Sequence, residues 1–193
     1  MTLAKKIMKI ITFLIGFAFL ATASAQDIRD KVVPAAVEEQ LPNLIDPDVS
    51  IYGIPFGVSE DEFIVRYGNA TGYVRITPHE SGMIYGRSHC FFFTDGKLSG
   101  VRITSSIFDW SVGNRVSSIS PFSSINWNLD NGLSRDSNLT DMKRILGDKL
   151  VKDGPQYYYQ TDTARVDIEV AHLTTAGDID GAWRVHGLII RKR

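Results

Sequence analysis

Four groups of residues have the types and spacing for chemistry. His89 and Cys90 are adjacent, and a thiol beside an imidazole suggests a nucleophile–base pair. Neighbours on a strand point to opposite faces, so the two side chains cannot meet there. The sequence predicts instead a buried, inert Cys90 beside Phe91, Phe92 and Phe93. The second group lies in the last hairpin. If Leu173 opposes Ala182, Glu169 falls opposite His186, Ala171 opposite Arg184, and Asp167 diagonal to His186. A carboxylate beside an imidazole can orient a general base. The same four residues, Asp167, Glu169, Arg184 and His186, equally form a wet sheet face of complementary charges. No G-x-S-x-G nucleophile turn accompanies them.

The third group is metal-like. Asp178-Ile-Asp180-Gly181 opens like a calcium loop but lacks the later oxygen ligands and the terminal Glu. His79-Glu80 has no second His four residues after His79, as a zinc-protease helix requires. The expectation is therefore no metal and no cofactor. The fourth group is aromatic. Tyr73, Tyr85, Trp110, Tyr157 and Tyr159 fall on or near strand-like stretches, where an exposed ring makes an anchor for a protein partner.

The elements that must position these residues are concentrated in Ile51–Arg102. Ser59 stands three residues before Glu62, a capping box, and Glu60, Asp61 and Glu62 place acid in the first helical turn. Phe63, Ile64 and Tyr67 give that helix an apolar side, and Gly68 supplies a residue that can close it at positive φ. Strands follow at 72–77, 83–94 and 97–104. Asp95-Gly96 accepts a type I′ hairpin turn, which sets Phe93 opposite Leu98, Phe91 opposite Gly100 and Cys90 opposite Val101. Phe91 and Phe93 then share one face, and Cys90 and Phe92 the other. A weaker copy runs over Trp127–Arg193, with Asn138 as cap, Met142 and Leu146 on the apolar side, and Gly147 at the same distance from the cap as Gly68. Strands at 156–160, 165–173 and 182–191 complete it.

The flanks set compartment and charge. Lys5, Lys6 and Lys9, the apolar run Ile10–Leu20 and Ala23-Ser24-Ala25 have the form of an export signal over residues 1–25. Residues 26–50 read as a helix interrupted by Pro34 followed by a loop, and 113–124 as a linker broken by Pro121. Loss of the signal takes the 21 basic residues to 18 against 22 acidic, a net charge near −4. That balance has no clustered basic excess of the kind that binds nucleic acid. With Cys90 the only cysteine, no intrachain disulfide can form. The expected location is periplasmic or secreted, with no stable membrane insertion once the signal is removed.

Phe56-Gly57-Val58-Ser59 before the helix, Gly68 after it, and Phe93-Thr-Asp-Gly-Lys-Leu-Ser-Gly-Val-Arg102 in the hairpin give the chain a family resemblance. It resembles the secreted β-lactamase-inhibitor-protein-like domains, related in build to small outer-membrane assembly lipoproteins of the SmpA type. The resemblance implies an α+β fold of tandem helix plus antiparallel-sheet modules, here 51–112 and 125–193, whose sheets grip a partner protein. That family staples each module with a cysteine pair, which this chain lacks. The expected function is non-enzymatic: a protein-binding module acting as inhibitor, immunity factor or envelope-assembly accessory, with a sheet face presented to its partner. The alternative is a small envelope hydrolase or ligand-binding protein using Asp167, Glu169 and His186.

Overall fold

The computed structural model describes residues 41–108, 117–135, 137–172 and 183–193. The export signal, the helix expected before residue 41, Trp110 and the Asp178–Asp180 loop lie outside the described residues.

Local signals build the first helix, α1 (Glu60–Tyr67). The amide of Glu62 donates to the Ser59 hydroxyl at 3.3 Å, and the amide of Ser59 donates to the Glu62 carboxylate at 2.9 Å. Gly68 closes the helix at φ 84°, its N–H donating to the Ile64 carbonyl. The second helix, α2 (Leu139–Leu146), begins where Asn138 accepts from the Asp141 amide at 2.8 Å and ends at Gly147, φ 52°. Phe63 of α1 and Met142 and Leu146 of α2 are buried. Each such side chain contributes roughly 1.5–3 kcal/mol by leaving water.

Among the described residues these are the two α-helices, against twelve strands in two sheets. β1 (Leu44–Asp46), β2 (Ser50–Ile51), β3 (Ile54–Pro55) and β8 (Asn128–Leu129) form a small sheet in the order β3-β2-β1-β8. The large sheet holds β4 (Gly72–Arg75), β5 (Glu80–Tyr85), β6 (His89–Thr94), β7 (Lys97–Ile103), β9 (Val151–Asp153), β10 (Gln156–Gln160), β11 (Ala164–His172) and β12 (Trp183–Lys192). Its order is β4-β5-β6-β7-β12-β11-β10-β9, which leaves β4 and β9 at the edges.

Tandem helix-plus-sheet modules are therefore not what forms, and the fold is sheet-dominated. β7 pairs with β12 from Gly100↔Arg191 to Ile103↔Leu188, which makes one continuous eight-stranded sheet. Gly100 permits that seam, since a Cβ there would lie 2.2 Å from the Ile190 carbonyl oxygen. A single core lies between this sheet and the elements over its inner face: α1, α2, the small sheet, and Phe122, Trp127 and Leu133. Phe122, from the stretch expected to be a linker, is fully buried, its ring 4.7 Å from that of Phe91.

The hairpin at Asp95 (φ 48°) and Gly96 (φ 73°) forms as expected and pairs Phe93 with Leu98. Beyond it a β-bulge leaves Ser99 unpaired, so Phe92 opposes Gly100, Phe91 opposes Val101 and Cys90 opposes Arg102. The one-residue shift turns Val101 and Ile103 inward instead of Gly100 and Arg102. Asp48 fastens the small sheet to the large one. Its carboxylate accepts from the Thr161 hydroxyl at 2.6 Å and the Thr163 amide at 3.0 Å, and Lys192 donates to its carbonyl at 2.8 Å. Burial alone would raise the Asp48 carboxyl, but these donors and the Lys192 charge outweigh it and hold the group below its ordinary value.

Candidate functional site

His89 and Cys90 occupy opposite faces, as alternation requires. His89 is 2% exposed; its Nε2 lies 3.0 Å from the Tyr52 hydroxyl and its Nδ1 2.8 Å from the Ser88 hydroxyl. Burial pushes the imidazole down to about 4 and raises the Tyr52 phenol well above its ordinary value. Tyr52 reaches this position from the tight β2–β3 turn, at φ 56°, a conformation that costs a non-glycine residue about 1 kcal/mol or more. Cys90 packs with Ile84 and Phe92 on the outer face. Burial raises its thiol to about 11, although Arg102 and Arg191 pull the other way. The pair provides neither a nucleophile nor a base.

The carboxylate–imidazole pair expected in the last hairpin does not form. Ala171 does oppose Arg184, but a bulge after Glu169 puts Gly187 opposite it and leaves His186 as the extra residue. Gly187 is required there, because a Cβ would sit 2.5 Å from the Ile103 carbonyl oxygen and 2.8 Å from Glu169 Oε2. Glu169 bonds Arg102 at 2.9 Å, and Asp167 bonds Arg165 at 2.7 Å. His186 Nδ1 is buried with no hydrogen-bond partner among the described residues. Both carboxylates are thus neutralised by guanidinium groups rather than aimed at a base.

Of the aromatic candidates, Tyr85 and Tyr159 cannot meet a partner. They are 1% and 3% exposed, on the inner face of the sheet. The Tyr85 hydroxyl donates to the Gly68 carbonyl at 2.7 Å and fastens the end of α1, while the Tyr159 hydroxyl accepts from Asn131 at 3.2 Å. Burial raises both phenols. Tyr157 is half-buried against the core beneath the Lys152 ammonium, and Tyr158, on the other face, carries the Arg165 guanidinium 3.9 Å above its ring. Trp110 lies outside the described residues. Tyr73 remains, 45% exposed on the edge strand β4.

β4 is unusual for an open edge. No described strand pairs with its outer side. Tyr73, Val74 and the following Ile76 are all at least 40% exposed. Protective devices of edge strands are limited to shortness and one charge, Arg75. The opposite edge, β9, is Val-Lys-Asp followed by Gly154-Pro155, which discourages addition. Val74 and Ile76 lie on the outer face, where they flank Gly82 and continue the apolar surface of Ile84, Cys90 and Phe92.

Tyr73 and Arg75 lie on the inner side, over a groove of ≈ 240 Å³. Its walls are the start of α1, the β4–β5 turn and the β6–β7 turn. Glu60 N–H donates to the Gly96 carbonyl at 3.1 Å, and the Asp95 N–H to the His79 carbonyl at 2.8 Å, which lock the three together. His79 and Asp95 also pair at 2.9 Å. Within the groove the Glu60 carboxylate accepts from the Ser81 hydroxyl and, at 3.4 Å, from the Tyr73 hydroxyl. Arg75 donates to the Pro78 carbonyl at 3.0 Å. Neither Glu60 nor Arg75 has an oppositely charged partner within reach among the described residues, whereas Glu80 is paired with Arg191 at 2.6 Å. Of the aromatic candidates only Tyr73 belongs to this site; His79 and Glu80, weighed as a zinc motif, also line it, Glu60 showed in the sequence as an acid favoured by the helix dipole, and nothing marked Arg75 or Ser81. No group of His, Cys, Asp and Glu suited to a metal ion occurs among the described residues.

No family model and no curated protein matches the sequence. Among solved structures, the chain is similar to an extracellular protein containing an SCP domain from Bacillus anthracis strain Ames, at a TM-score of 0.36 and 8% identity. The likeness covers 82% of this chain and 50% of that one, so the chain spans about half its length. At that score the likeness carries no argument about fold or function, and it does not bear on the resemblance to the β-lactamase-inhibitor-like domains.

Proposed function

We propose that this chain is an exported, non-catalytic protein-binding module that receives an extended segment of a protein partner on the β4 edge. Main-chain hydrogen bonds supply affinity in such strand addition, and alternate side chains supply selectivity. The single observation that supports the proposal is the exposed run Tyr73–Val74–Ile76 on a sheet edge that no described strand pairs, beside a groove lined by Glu60 and Arg75. Export is part of the proposal and rests on residues 1–25; no helix among the described residues is long and apolar enough to cross a membrane. The role that fits is steric: an inhibitor, immunity factor or assembly accessory that occupies its partner's segment.

The test is capture by the immobilised mature chain from the exported protein fraction of its host, compared with a Val74→Lys/Ile76→Lys variant of equal thermal stability. A protein retained by the first and lost by the second, and shown by crosslinking from Tyr73 to contact β4, is the expected result. A retained set indifferent to both lysines would overturn the proposal.

A further inference from the structure

We infer that the segment this edge receives is β4 of a second copy of the same chain, paired antiparallel about a two-fold axis at Val74. The inference rests on the strand-addition proposal and names its partner. Register provides the first ground. Ile76 N–H donates to the Glu80 carbonyl at 2.9 Å, and β4 pairs with β5 through Val74↔Gly82. Hydrogen-bonded pairs alternate along an antiparallel ladder, so the backbone groups of Gly72 and Val74 turn toward β5. Those of Tyr73 and Arg75 turn outward. An axis at Val74 sets Tyr73 opposite Arg75 of the second copy in a pair that exchanges both backbone bonds, and its symmetry mate does the same.

Side chains provide the second ground. On the inner face Arg75 of the second copy arrives beside Tyr73 and the Glu60 carboxylate, 3.4 Å from the Tyr73 hydroxyl. Each copy thus brings a cation to the other's Glu60, which has no ion pair among the described residues, and the ring offers its face to the guanidinium. On the outer face Val74 meets Val74 in a non-hydrogen-bonded pair, where side chains approach most closely. Ile76 lies over Gly72 of the second copy, which has no side chain to obstruct it. The contact is isologous and closes on itself; the polar β9 edge does not extend it into a fibre.

Sedimentation equilibrium of the mature chain over a concentration series tests the inference, with Glu60→Lys and Arg75→Glu variants alone and mixed one to one. Each variant sets like charges across the axis, whereas a mixed dimer places every altered charge opposite a complementary one. The expected result is a wild-type monomer–dimer equilibrium, a dimer dissociation constant at least tenfold larger for each variant alone, and recovery in the mixture. Melting curves establish that both variants fold. A wild-type chain that stays monomeric, or a dimer indifferent to the two variants or not recovered by mixing, overturns the inference. If a different protein is then captured through β4, strand addition stands and only the second copy falls; if nothing is captured, both fall.

Discussion

Protonation of His89 should cost the fold a large share of its stability. The imidazole is 2% exposed and surrounded by Tyr52, Phe91 and Phe122, with its ring centre 5.6 Å from that of Phe122. A charge placed there loses its water and gains no anion. The ring titrates at about 4 in the folded chain against 6.5 ordinarily. Between those values the unfolded chain binds the extra proton, so stability falls as pH drops from 6.5 to about 4 and this contribution levels off below. At about 1.4 kcal/mol per pH step the loss is on the order of 3 kcal/mol, against a total of roughly 5–15 kcal/mol for an ordinary domain. Urea unfolding followed by far-ultraviolet circular dichroism at pH 7.5, 6, 5 and 4 measures it. The comparison is His89→Gln, whose amide reaches the position of Nε2 beside the Tyr52 hydroxyl and cannot titrate. The wild type should be steeper than the variant across this window, because His79, His172 and His186 are common to both. Parallel curves would refute the reasoning.

Gly100→Ala should prevent soluble folding or cost several kcal/mol, since the methyl meets the Ile190 carbonyl at 2.2 Å in the central seam; recovery from expression and urea midpoints report it. Cys90, 5% exposed and with its thiol raised to about 11, should react with a disulfide reagent orders of magnitude more slowly in buffer than in denaturant, read by absorbance of the released thiolate. Ser59→Ala removes the hydroxyl that caps α1 and should cost about 1 kcal/mol in thermal or urea unfolding.

What could be seen in the sequence was what a few consecutive residues decide by themselves. Ser59 with Glu62, Gly68, Asn138 with Asp141 and Asp95-Gly96 each act through backbone groups within four positions, and each sits where its chemistry implies. The bulges at Ser99 and His186 answer to distant steric demands, the approach of Gly100 to Ile190 and of Gly187 to Ile103. No short pattern announces them, and the expected pairs Phe91–Gly100 and Glu169–His186 each missed by one residue. Tyr85 and Tyr159 were misjudged as anchors because their strands are apolar enough on both faces to hide which side is inward. The small sheet pairs Leu44 with Asn128, and the Tyr52–His89 contact joins segments 37 residues apart. That β4 ends the sheet follows from strand order alone, so Tyr73 was a candidate for its type, while Glu60 and Arg75 became candidates only beside it.

Residue-resolved amide hydrogen exchange on β4 tests the open edge most directly. In monomeric protein Tyr73 and Arg75 should exchange at nearly unprotected rates while Val74 and Ile76 are protected by β5. When the chain associates, with itself or with a captured partner, the first two should become protected. Slow exchange at Tyr73 and Arg75 in the monomer, or protection on association that appears elsewhere and leaves them fast, would contradict docking at this strand.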